Sequence, residues 1–85
     1  MTKVNDRNAP DAWARFRGDH ELGSVLHGRV ASVVGFGAFV EVADGVEGLL
    51  HHSEFAATSP SVGDDVDVRI DRIDDGTRRM SLALL

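Results

Sequence analysis

The run Gly35-Phe36-Gly37-Ala38-Phe39-Val40-Glu41-Val42 decides how this chain is read. As a strand, its side chains alternate between two faces, sending Ala38, Val40 and Val42 one way and Gly37, Phe39 and Glu41 the other. The small and branched apolar set must be the buried face, so Phe39 points outward beside a carboxylate. A phenyl ring on a solvent face provides a surface on which something flat can stack. Phe36 falls on the buried parity under strict alternation, unless the flanking glycines introduce a bulge that re-aims it. The alternative is that both rings simply cover the rim of a small barrel.

The strand signal extends in both directions. Val25 to Val34 is rich in β-branched residues and interrupted at Gly28, which predicts a bent strand. Asp44-Gly45 is a hairpin turn leading into a third strand, Val46 to His51. His52 to Ala57 fits a single helical turn and Thr58-Ser59-Pro60-Ser61 a loop. Asp65 to Asp71 alternates without error, with Val66, Val68 and Ile70 inward. The turn Asp74-Asp75-Gly76-Thr77 leads to a last strand, Arg79 to Leu84. Five strands joined by hairpin-like links predict an all-β fold, a closed antiparallel five-stranded barrel. Ahead of it, residues 1–9 are polar and aperiodic and read as a frayed leader. Pro10 to Arg17 then forms a short helix, ended by Gly18, whose Trp13 and Phe16 share one face and pack on the barrel. The division is thus a leader and helix over residues 1–22 and a barrel domain over 23–85.

Eighty-five residues, 42% hydrophobic and 27% charged, fit one folded domain with one small core. The Met1 start and the end at the last strand fit either an intact small protein or a repeat cut from a longer one. With no cysteine, neither a disulfide nor a thiolate metal site is available, and no apolar run reaches the roughly 20 residues of a membrane span. The expectation is a cytoplasmic monomer with no cofactor. His20, His27, His51, His52 and Glu54 lack metal-ligand spacing. The aspartates from Asp64 to Asp75 lie on a strand's solvent face and a turn, and read as solubility charges that protect a barrel edge. No nucleophile with a paired base and no phosphate loop before a helix is present, so catalysis is not expected. The net charge of -5 lies wholly in residues 23–85, where five arginines face ten acidic residues. A phosphate chain would be repelled on average and attracted only at one face.

From Gly23 to Leu85 the chain resembles the S1-type RNA-binding domain, a five-stranded oligonucleotide-binding (OB-fold) barrel. The resemblance is carried by Gly28-Arg29-Val30, Phe36-Gly37-Ala38-Phe39-Val40, Gly48-Leu49-Leu50-His51-His52-Ser53-Glu54, Gly63-Asp64 and Arg79-Met80-Ser81-Leu82. It implies an RNA surface of Phe36, Phe39, His51, Asp74 and Arg79. Arg78 precedes Arg79, and the turn length leaves open which of the two takes the binding role. His52 departs from the family, which has an apolar residue there.

His51 continues the outward parity of Glu47 and Leu49, which would set it beside Phe39 on the neighbouring strand. The resulting expectation is weak binding of single-stranded RNA with little sequence preference, in translation or RNA metabolism. Phe36, Phe39 and His51 would be stacking platforms, and Arg79, with Arg78 and Arg29, would contact phosphate. Asp74 would fix Arg79 or accept from a base edge. The rival is a protein-interaction module whose acidic surface docks on a basic ribosomal, nuclease or polymerase partner.

Overall fold

The computed structural model describes residues 8–55 and 59–85. A helix, α1 (Pro10–Asp19), precedes five strands: β1 (Val25–Val34), β2 (Gly37–Ala43), β3 (Val46–His51), β4 (Asp65–Asp74) and β5 (Arg79–Leu84). A single 3₁₀ turn, His52–Glu54, follows β3. The strands close into a barrel in the order β1-β2-β3-β5-β4.

Four of the five seams are antiparallel. The fifth, β3 with β5, is parallel, and its register pairs are Leu49 with Ser81 and Leu50 with Leu82. This corrects the expectation of hairpin-like links throughout. The connection from His51 to Asp65 does not reverse the chain onto β3; it carries it to the far edge of β1, where β4 pairs antiparallel. The next hairpin then brings β5 back alongside β3 in the same direction.

Strand interiors follow the alternation. Val30, Ala38, Val40, Val46, Leu50, Val68, Ile70 and Leu82 are at most 2% exposed and form the core. Val42 and Val66, nearer strand ends, are only half-buried. Gly28 has a steric reason: a Cβ there would lie 2.6 Å from Val40 Cγ1 and 2.8 Å from the Glu41 carbonyl oxygen. β1 and β2 approach too closely at that point for any side chain.

In α1, Pro10 occupies the first turn with Asp11, where a missing N–H is harmless and a negative charge meets the helix dipole. Trp13 and Phe16 are 5% and 4% exposed and join the barrel core, as expected. The helix runs through Gly18 to Asp19, slightly beyond the expected stop.

Residues 1–7 of the expected leader, and Ala56 and Ala57 of the expected helical turn, lie outside the described residues. Asn8, assigned to the same leader, is 4% exposed. Its side chain is hydrogen-bonded to β3 and to the β4–β5 turn, so the frayed reading fails there. Among the described residues no helix is long and apolar enough to cross a membrane, and no group of His, Asp and Glu is placed to hold a metal ion.

Candidate nucleic-acid interface

A cleft of about 520 Å³ opens on one side of the barrel, between the β1–β2 turn and the β4–β5 turn. Phe36, Phe39, Asp74, Arg78 and Arg79 all line it, so five of the six residues expected at the site converge. Each is placed there by the local chain path.

Phe39 lies on the outward parity of β2 and is half-buried, directly opposite Leu49 of β3. Phe36 is not part of the strand. A two-residue turn at Gly35 and Phe36 makes β2 start at Gly37, which frees Phe36 from the buried parity without a bulge and leaves it 52% exposed. The two rings meet edge to face, centroids 6.1 Å apart and planes at 90°. That geometry is favourable for the pair, and both residues line the cleft.

His51 is the exception. It is exposed at the end of β3 but pairs in register with Gly37, not Phe39. Its imidazole turns to the 3₁₀ turn, where Nδ1 accepts from the Ser53 backbone N–H at 3.2 Å and the ring lies 4.3 Å from that of His52. It caps this turn and is not among the residues that line the cleft.

The arginines separate clearly. Arg79, at the start of β5, is exposed and lines the cleft. Arg78, in the turn, is half-buried, and its Nε–H donates to the Asn8 carbonyl oxygen at 2.7 Å. Arg29 lies elsewhere, on the β1–β4 face, 3.5 Å from Asp65; the expected phosphate contact from it is not supported by this position.

A further arginine, Arg72, lines the cleft and was missed. Strict alternation from Val66, Val68 and Ile70 would point it inward. The register of β4 against β5 shifts between Ile70 and Arg72, and the irregularity turns Arg72 out and Ile73 in. The sequence carries a trace of this, since Ile70 and Ile73 are three apart rather than two. Among the described residues, neither Arg72 nor Arg79 makes an ion pair.

The opposite charge pattern holds on the β1–β4 face. His27 lies 3.0 Å from Asp67 and 3.6 Å from Asp65. Its hydrogen bond to Asp67 holds the imidazole above its ordinary value of 6.5. Arg69 sits 3.7 Å from Asp71. The basic groups of this face are therefore matched by carboxylates, whereas Arg72 and Arg79 of the cleft have no carboxylate partner among the described residues.

A model of the S1 RNA-binding domain matches residues 19–85. The chain belongs to that family. Among curated relatives of this S1 domain, the small ribosomal subunit protein bS1 of Mycobacterium leprae is 42% identical over 81 residues, a match covering 87% of this chain. The bS1 protein of Neisseria meningitidis is 39% identical over 82 residues. The S1 domain spans only 17% and 15% of the lengths of these relatives. Among solved structures, GSP13 from Bacillus subtilis superposes with a TM-score of 0.69 at 33% identity, covering 78% of this chain and 56% of that one. A chain of the a/eIF2alpha-aDim2p-rRNA complex from Pyrococcus horikoshii gives 0.67 at 27% identity, with 76% and 44% covered.

Proposed function

We propose that this S1 domain binds single-stranded RNA weakly and with little sequence preference, through the cleft between the β1–β2 and β4–β5 turns. The observation that carries the reading is the coincidence, in one cleft of an acidic barrel, of two aromatic rings with two arginines that have no carboxylate partner among the described residues. Phe36 and Phe39 offer stacking surfaces to successive bases, which is sequence-tolerant because every base has a π-face. Arg72 and Arg79 take phosphate, Arg78 is held back as part of the turn, and Asp74 is an acceptor for a base edge. His51 contributes at the margin.

Stacking is worth about 1–3 kcal/mol per base. Two rings and two phosphate contacts, set against association costs, give an affinity in the region of about 100 μM. Useful function then needs a host that raises the local RNA concentration, such as a ribosome or a longer multidomain RNA-binding protein. The bS1 relatives support a setting in translation.

The deciding experiment is a titration with a short unstructured RNA followed by amide NMR. Shifts should concentrate at Phe36, Phe39, Arg72 and Arg79 and spare His27, Asp65 and Asp67. Shifts on the β1–β4 face alone, or none at millimolar RNA in low salt, would overturn the reading. The paired acidic β1–β4 face would then favour docking on a basic protein partner.

A further inference from the structure

We propose that Asn8 is a positioning residue for the RNA cleft, bridging the β3–β5 seam at its open mouth and holding the turn that carries Arg79. The proposal rests on the functional reading above. Residue 8 lies outside the segment that matches the S1 family, which starts at residue 19.

The parallel seam is the shortest in the barrel, with register pairs only at Leu49–Ser81 and Leu50–Leu82. Just before it, Asn8 spans the gap. Its Oδ1 accepts from the Glu47 N–H at 2.8 Å, and its Nδ2 donates to the Glu47 carbonyl at 3.0 Å and the Arg78 carbonyl at 2.7 Å. One amide thus treats Glu47 as a neighbouring strand would, exchanging a bond in each direction, and ties it to the residue that precedes β5. Both amide hydrogens and the oxygen are used, which is how a buried polar side chain is accommodated.

Arg78 needs such a grip. Its φ is 56°, the left-handed region that a side chain other than glycine's enters only when its surroundings hold it there. Asn8 holds Arg78 through its carbonyl and through its guanidinium Nε–H. The other end of the turn is held as well: Asp75 accepts from Trp13 Nε1–H at 2.8 Å and from Arg17 Nε–H at 3.0 Å. The segment ahead of the family match therefore clamps the first and last residues of the turn, and Asn8 itself forms part of the cleft wall.

The test compares the wild-type chain with Asn8→Ala and with a core variant of similar stability loss, Ile70→Val, by RNA titration and NMR. Asn8→Ala should keep the dispersed core resonances yet bind RNA about tenfold more weakly, whereas Ile70→Val should bind as the wild type does. The Glu47 N–H, which donates to the Asn8 side chain, should lose its protection from exchange only in Asn8→Ala. Wild-type affinity in a folded Asn8→Ala variant would overturn the proposal. If that variant does not fold, Asn8→Asp retains the acceptor toward Glu47 and removes both donations, and the same loss is expected. In the wild-type chain, RNA should reciprocally slow exchange at Glu47; unchanged exchange at saturation would count against the brace. Failure of the wild type to bind RNA at all would overturn the functional reading instead, and the Glu47 exchange signal would still decide whether the Asn8 side chain bridges the seam.

Discussion

Asp74 and Arg79 face each other in register across β4 and β5, yet their side chains form no ion pair among the described residues. The Asp74 carboxylate instead accepts from the Thr77 N–H at 3.2 Å and shapes the turn. Arg79 is left open to an external anion. With Arg72 and Arg79 as the phosphate contacts, the log–log salt slope for single-stranded RNA should be about -1.4. Raising salt fourfold should then weaken binding by roughly sevenfold. Fluorescence titrations at 50 and 200 mM salt would measure it, and a much steeper dependence would require a basic surface other than this cleft.

Replacing Phe39 with Ala should weaken RNA binding by about 1–3 kcal/mol through lost stacking. The ring is half-buried and touches Phe36 edge-on, so the variant should also lose about 1 kcal/mol of stability. Parallel RNA and urea titrations separate the two effects. Loss of fold with undiminished binding by the remaining folded protein would make Phe39 a structural residue.

Gly37 separates the two phenylalanines and admits no side chain. A Cβ there would collide with the Leu50 backbone carbonyl and lie 3.1 Å from His51 Cα. Because the obstacle is the backbone of β3, Gly37→Ala should destabilise by about 1–3 kcal/mol. Urea unfolding would show the loss, and the β2–β3 amides near His51 should shift most.

Asp75 links stability to acid. Hydrogen bonds from Arg17 and then Trp13 hold its carboxyl below the ordinary 3.8. A carboxyl depressed in the folded state binds its proton more readily when unfolded. Its stabilising contribution is therefore full above about pH 4 and is lost as pH falls through the lower folded value. Trp13 is the only tryptophan, so its emission should change over that acid range and report the turn directly. Asp75→Asn should remove this transition; an unchanged acid profile in the variant would assign it to another carboxylate.

The barrel was legible because burial imposes a period of two on β2, β3 and most of β4, and because Asp44-Gly45 marks a hairpin. The outward position of Phe39 followed from the same rule. Where the rule failed, a local irregularity intervened. The turn at Gly35-Phe36 took Phe36 out of the strand, and the register shift after Ile70 brought Arg72 to the surface. The parallel β3–β5 seam and the register that pairs His51 with Gly37 are set by long-range closure, which no local pattern records. Asn8 was invisible for a related reason: a single polar residue in an aperiodic stretch gives no hint that two distant strands need its amide.

Asn8 and Arg78 stand 70 positions apart along the chain. On a ribosome the amide that bridges the barrel is made 70 residues before its second partner. The β1–β2–β3 meander can form while synthesis continues, since its contacts are local, but final closure must wait for β5. Until then β3 presents an uncovered edge, and the fold's most exposed moment on the ribosome is the interval between the emergence of β3 and that of β5.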